Sequence, residues 1–343
     1  MKRWMAAATA GLAAVFGLAA PGAAKASSSN WYQVYQSGYS GAFFDIAAIS
    51  KSDAWAVGEL ENSKGDTIYE PFIRHYNGSG WLTVTIPGAK NVTSDYVAAS
   101  SASNVWIAGS TSNFTGSEVY RYDGSHWHKV ALPALASVLG LVVLAPNNVW
   151  AIGSLGTVSG NVFHWNGSRW VGYDFNVLPQ SISASSADNV WMAGIGYSGK
   201  TQLAVAYQWN GRTWHNAHLA RTVLLAGPAV SAVSPSDVWV GWSTETSADA
   251  LHWDGHHWHV VKAADDVAAD SSDIITDGQG GWWWGPFARL DGSTWTGVAI
   301  PEASAGGWGP VVRIPGTRSF WLAATVKNHG DSTQHPTIYR FDL

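Results

Sequence analysis

The sequence predicts an all-β chain, a seven-bladed β-propeller whose ring is closed by pairing of the N-terminal strand with the C-terminal blade. Three observations carry that expectation. A Trp-centred string recurs seven times at steps of 39 to 51 residues, and a second string built on Asn-Gly or Asp-Gly alternates with it. Beyond the first residues, no apolar run of helical period reaches useful length. With 22 Trp, 37 Gly and only 13% charged residues in 343, the chain fits neither a coiled coil nor a disordered segment.

The first string reads Asp53-Ala-Trp55-Ala-Val-Gly58, and returns at Asn104 to Gly109, Asn148 to Gly153 and Asn189 to Gly194. Degenerate copies centre on Trp239, Trp282 and Trp321. The second string reads Asn77-Gly-Ser-Gly-Trp81 and returns at Asp123, Asn166, Asn210, Asp254 and Asp291, with Trp127, Trp170, Trp214, Trp258 and Trp295. Asn-Gly and Asp-Gly between alternating apolar runs signal a hairpin, because both residues tolerate positive φ. A short apolar stretch such as Asp45 to Ile49 or Tyr96 to Ala99 precedes each first string. Each unit therefore holds four short antiparallel strands in ~40–50 residues, the content of one propeller blade.

Six units run from residue 45 to about 300, and a seventh starts near Val311 but stops at Asp342 without its Trp strand. Asn30-Trp31-Tyr-Gln-Val34 has the pattern of the missing strand. Its pairing beside the C-terminal strands would seal the ring and remove both sheet edges.

Residues 1–26 read as a signal peptide. Lys2 and Arg3 precede an uncharged apolar run from Met5 to Ala20, and Ala24-Lys25-Ala26 offers a cleavage site. Cleavage after Ala26 leaves 27–343 as a single propeller domain that is secreted and extracellular. The apolar run is short of the ~20 residues that span a bilayer, so no membrane insertion is expected after cleavage. Without Lys2, Arg3 and Lys25 the chain has 16 basic and 24 acidic residues, a net charge of −8. That charge disfavours nucleic acid and anionic lipid as partners. The absence of Cys excludes disulfides, thiol nucleophiles and Cys-ligated metal.

The repeat resembles the kelch-like family of β-propellers, the type of the galactose-oxidase central domain, here in a bacterial secreted form. Tyr76 with Trp81 and Tyr122 with Trp127 match the second half of a kelch unit. The sequence departs from that pattern in its single Gly where kelch has a doublet, its extra Trp in the first string and its tighter Asn/Asp-Gly turn. The resemblance implies architecture. The copper radical chemistry of the secreted kelch-type oxidases needs a Tyr joined to Cys, and this chain has no Cys.

Walker-type, HExxH and GxSxG strings are absent. His252, His256, His257 and His259 cluster in sequence, but in register they fall on a polar strand position and on turn tips, so no metal site or cofactor is assigned. Register also assigns 17 Trp to packing between blades, and Trp4 leaves with the signal. Trp242, Trp283, Trp284 and Trp308 remain. Of these, Trp242, Trp284 and Trp308 are expected near one face in blades 5 to 7, the face of the connections between strands 2 and 3. The loop before blade 6 adds Asp265, Asp266, Asp270 and Asp273 there. Aromatic plates beside carboxylates suit a sugar, with stacking for its apolar face and acceptors for its hydroxyls.

The leading functional reading is a non-catalytic binding module for a glycan or a cell-surface ligand. One alternative is a polysaccharide hydrolase or lyase using two of the loop Asp as acid and base. Another is a protein-interaction scaffold. For this last, the long strand 2–3 loops Glu59 to Pro71 and Thr325 to Thr337 flank the closure point and carry Glu59, Glu61, Asp66, Glu70, His329 and His335.

Overall fold

The computed structural model describes residues 30–113, 116–133, 137–154, 160–219, 227–243, 248–262, 274–278, 281–285, 288–291, 294–298, 308–327 and 333–342. Among them are seven four-stranded antiparallel sheets arranged in a ring, and no helix. Blades 1 to 6 start at Gly41, Tyr96, Ser137, Leu178, Ala229 and Ile274. Blade 7 starts at Trp308, three residues before the Val311 read from sequence, and runs to Phe341. Its fourth, outer strand is Trp31–Gln36, which pairs with His335–Phe341 in the register Trp31 to Phe341 and Tyr32 to Arg340. The ring thus closes by the pairing the sequence suggests.

The conserved geometry of the repeat strings explains their residues. In strand 2 the Asn two places before the Trp turns its amide oxygen to the indole. Trp106, Trp150 and Trp191 donate Nε1–H to Asn104, Asn148 and Asn189 at 2.9–3.0 Å, and Trp239 donates to Asp237 at 3.1 Å. Strand 3 sends a second donor to that position: His75 to Asp53, His164 to Asn148, Gln208 to Asn189 and His252 to Asp237, each at 2.9 Å. Three of these His rings also lie flat on the Trp, at 4.2–4.4 Å between centroids. His252 is therefore half-buried in a blade motif. His256 and His257 occupy an exposed turn, and His259 bonds Asp254 at 2.7 Å.

The second string folds as a hairpin with four residues between the paired positions, such as Tyr76 and Trp81. Only the Gly has positive φ (91–97° in the first five blades), whereas the Asn or Asp does not. The reading of two positive-φ residues is corrected accordingly. The Asn or Asp acts through its side chain, which accepts two successive backbone amides. Asn166 Oδ1 takes the N–H of Ser168 and Arg169 at 3.0 Å, and Asp254 Oδ1 those of His256 and His257 at 2.7 Å. Those bonds hold Asp123 and Asp254 well below the usual carboxylate range. At Asp123 the His126 amide leads; at Asp254 the His259 side chain leads. A Cβ on Gly167 would stand 2.8 Å from Asn147 Cβ, besides being strained at φ 97°. Gly167→Ala should therefore cost about 1–3 kcal/mol. Urea unfolding checks this, and an unchanged midpoint would refute the steric account.

Between blades, the outer-strand Trp of blades 1 to 5 meets the strand 2 Trp of the preceding blade edge-on. Trp127 meets Trp55, Trp170 meets Trp106, Trp214 meets Trp150, Trp258 meets Trp191 and Trp81 meets Trp321, at 5.5–6.0 Å and 80–89°. Such T-shaped pairs add ~0.5–1.5 kcal/mol each beyond burial. At the junction of blades 6 and 7 the rule shifts by one residue: Trp31 meets Trp283 at 6.5 Å and 82°. That contact accounts for Trp283, which is fully buried against Phe320 and Phe341. Nearer the axis, small polar side chains tie neighbouring blades. Ser181 and Ser183 accept the amides of Val230 and Ala232 at 3.1 and 3.0 Å, and Asp45 accepts that of Val97 at 2.9 Å.

Candidate functional site

The backbone places Trp242 and Trp284 at the ends of strand 2 in blades 5 and 6, and Trp308 at the start of blade 7. By the topology these are positions on the face of the 2–3 connections. Trp308 belongs to the first strand of its blade, not to the loop before it. Trp242 is only 3% exposed and belongs to the buried core that includes Trp191, Val230 and Leu251. The side chains of Trp284 and Trp308 lie outside the described residues, as do Asp265, Asp266, Asp270 and Asp273.

On the same face, at the closure point, the structure brings together the segments that the long-loop reading singled out. The link from the N-terminal strand to blade 1 (Gly38, Tyr39, Ser40), the end of strand 2 and the 2–3 loop of blade 1 (Glu61, then Asn62, Ser63, Gly65) and the 2–3 connection of blade 7 with the first residue of its strand 3 (Lys327, Thr333, Gln334, then His335) surround a cleft of about 500 Å³. This lies within the ~300–1,000 Å³ of ordinary ligand sites.

The walls are tied together by hydrogen bonds. Ser37 and Gly41 donate their amides to the carbonyls of Pro336 and Gln334 at 2.8 and 2.9 Å, which carries the closure ladder into the cleft. Glu61 N–H bonds Ser40 O at 2.9 Å, and Ser40 Oγ returns a bond to Glu61 Oε2 at 2.8 Å. His335 Nδ1 reaches Tyr39 O at 3.3 Å. Asn62 Oδ1 accepts the amides of Lys64 and Asp66, which shapes the loop tip. Over this polar floor Tyr39 is 68% exposed, the most exposed aromatic side chain among the described residues. A site so built presents one aromatic face beside a carboxylate, an ammonium, amides and hydroxyls. Among the described residues no group of three His, Asp or Glu is placed to hold a metal ion.

Of the loop residues read from sequence, Glu61 and His335 line the cleft. Glu70 is exposed on strand 3, Asp66 is bonded to Asn62, and His329 lies outside the described residues. Glu59 lies two residues before Glu61 on strand 2 of blade 1. Burial pushes its carboxyl above the usual range, and Asp95 and Glu61 add to this against a hydrogen bond from Thr67. Burial likewise raises Asp95, against bonds from Thr93 and Ser110. A carboxyl whose folded pKa is raised weakens the fold once the pH exceeds both its pKa values, and not below the unfolded one. Glu59→Gln should therefore melt slightly above the parent at pH 7, with the gain vanishing as the pH falls towards ~4. A gain that persists in acid would show that the side chain acts by packing.

Sequence reasoning missed Tyr39, Asn62 and Gln334. The residues between Trp31–Gln36 and Gly41 belong to no repeat string, and that exemption from the repeat, with an aromatic in it, was the available signal.

No protein-family model matches the chain, and no curated protein matches it in sequence. Its fold is similar to that of YCF48 bound to D1 peptide, at 14% identity and TM-score 0.64 over 92% of this chain and 97% of that one. The β-propeller domain of the Trilobed protease from Pyrococcus furiosus, which has an open velcro topology, gives 10% and 0.61 over 88% and 93%. The SapL1 lectin in complex with alpha methyl fucoside gives 12% and 0.52 over 85% and 94%. These likenesses and the seven sheets define the class: the chain is a seven-bladed β-propeller.

Proposed function

We propose that this propeller is a non-catalytic binding module that holds a glycan in the closure cleft. The carrying observation is the exposed Tyr39 ring over a preorganised cleft of hydrogen-bonding side chains. Stacking on the ring serves the apolar face of a sugar, and Glu61, Asn62 and Gln334 serve its hydroxyls. Binding by propellers of this fold supports the reading in general terms, since the neighbours include one bound to a peptide and one in complex with a fucoside. Two further elements belong to it. The repeat is kelch-like, supported by Tyr76 with Trp81 and Tyr122 with Trp127, which pair across their hairpins. The protein is exported, supported by the charge and apolar pattern of residues 1–26.

A broad glycan array probed with residues 27–343 tests the proposal. Binding is expected to fall at least tenfold in Tyr39→Ala and in Glu61→Gln. Tyr39 is exposed, and Glu61→Gln keeps an acceptor for Ser40, so the melting temperature should hold. A blank array, or binding indifferent to both substitutions, rejects a glycan in this cleft. Release of reducing ends from bound polysaccharide would reject the non-catalytic part.

A further inference from the structure

The Asn-Gly and Asp-Gly hairpins differ in what stands five residues past the Asn or Asp. Blades 2 and 5 have His128 after Asp123 and His259 after Asp254. In both, the imidazole Nε2 lies 2.7 Å from the carboxylate Oδ2, while Oδ1 holds the turn. Blade 4 has the same His, at 215, but an amide at Asn210. Asn77 and Asn166 are followed at that place by Leu82 and Val171, which offer no such partner.

Asn210 Oδ1 accepts the N–H groups of Arg212 and Thr213, each at 3.0 Å, so Nδ2 is the group that faces His215, 2.8 Å from its Nε2. An amide nitrogen only donates, so Nε2 must accept and has no proton there. Thr213 Oγ1 lies 2.9 Å from the same ring nitrogen. Next in the chain is Gly211, at φ 92° and exposed like Asn210. It has no side chain to screen its amide, which donates no bond among the described residues. These are the parts of an intramolecular reaction. A backbone nitrogen adjoins an amide carbonyl, two N–H groups hold the oxygen where negative charge would gather, and a proton carrier stands at the leaving nitrogen.

We infer that Asn210 deamidates itself, with His215 as proton donor to the departing ammonia and as the partner that holds the product. The Gly211 nitrogen gives its proton to water and attacks Cγ, and the carbonyl electron pair moves onto Oδ1 between the two amides. In that tetrahedral intermediate Nδ2 is an amine with a lone pair, so its bond to Nε2 reverses. The imidazole, protonated from solvent, hands its proton across, Cγ–Nδ2 breaks and ammonia leaves. Water then adds to Cγ of the cyclic imide, the bond from Cγ to the Gly211 nitrogen breaks, that nitrogen regains a proton, and Asp remains. The fold already contains the product. Asp123 and Asp254 keep the same two turn bonds and add the His, so blade 4 would acquire the ion pair of blades 2 and 5 with no other change. The reaction does not depend on the closure cleft or on its proposed role.

Peptide mass spectrometry of residues 27–343 kept at neutral pH tests the inference, with electron-transfer fragmentation to separate Asp from isoaspartate. Asn77 and Asn166 are internal references, since each precedes a Gly and holds the same two turn amides. Asn210 should convert about tenfold faster than either, and to Asp. In urea, where only the shared Asn-Gly sequence remains, the three rates should converge. His215→Leu, at an exposed position and a copy of Leu82, should bring Asn210 down to the reference rate in the folded chain. Should that variant fail to fold, nitrogen-15 NMR decides: His215 Nε2 should be without a proton in the parent and protonated in Asn210→Asp. Equal rates for the three Asn in the folded chain overturn the inference. So do selectivity that survives in urea or in His215→Leu, isoaspartate as the main product at 210, or an Nε2 unchanged by Asn210→Asp.

Discussion

A chain that begins at residue 37 is expected to aggregate or to melt far below one that begins at residue 30. The difference is the strand Trp31–Gln36, which lies along His335–Phe341 with a bulge between Gln33 and Tyr35. Its Trp31 is 2% exposed, packed 5.1 Å from Phe341 and edge-on to Trp283. Without the strand, the ladder of His335–Phe341 becomes a bare edge and a Trp-sized space opens between blades 6 and 7. A Trp-to-Ala loss alone costs ~3–5 kcal/mol, against ~5–15 kcal/mol for a typical native state. Trp31→Ala separates the two effects: it should lower the melt while leaving the protein monomeric, because the edge stays covered. Thermal melts with light scattering decide. A chain from residue 37 that melts with the longer one and stays monomeric would refute closure by this strand.

The second large effect is at Asp277, where blades 6 and 7 meet. Its carboxylate is fully buried. Oδ2 receives Arg318 at 2.9 Å and has Arg289 at 3.8 Å, while Oδ1 accepts the Gly281 amide at 2.9 Å. Arg313 adds a bond to the backbone carbonyl of the same residue at 3.1 Å. Asp277→Ala would leave these guanidiniums facing one another across a space that held their common anion. Breaking one partner of a buried ion pair typically costs ~3–5 kcal/mol. Arg289 and Arg318 are partly exposed, so solvent takes up some of the charge and the loss should fall at the lower end. Asp277→Asn keeps the shape and one acceptor and should lie between. Denaturant unfolding checks the order, and a neutral Asp277→Ala would mean that the aromatic cluster around Trp283 holds this junction by itself.

Most of the architecture was legible because it is periodic. A Trp that caps its neighbour's Trp recurs at six junctions, and an Asn or Asp that bonds both an indole and a strand 3 donor recurs in blades 3 to 5. The Trp31 strand could be recognised because it is a displaced member of that series. Features made by departures from the series were harder to read. Trp242 stands where the first four blades have Gly. At Gly58 and Gly109 a Cβ would lie 2.0 and 1.8 Å from a backbone oxygen of the neighbouring segment, so those blades leave no room for a side chain there. Blade 5 accepts the ring into its core instead. The closure cleft was legible only in part, through Glu61 and His335. Its remaining walls come from segments far apart in sequence whose meeting is a product of the finished ring.

The seam also governs timing. Tyr32 donates its hydroxyl to Asp342 across 310 residues, so the first strand of the fold to leave the ribosome finds its partner only after the last has been made. Until then the Trp31 ring is without its pocket, and Tyr32 and Val34, exposed even in the native state, add to an adhesive surface. Six blades can zip up locally behind it, each from contacts within a few tens of residues, whereas the final docking bears the entropy of the whole intervening chain. Docking of that six-residue segment is thus expected to be the slow step of ring closure, which stopped-flow refolding of Trp31→Ala against the parent would reveal as a change in the slowest phase.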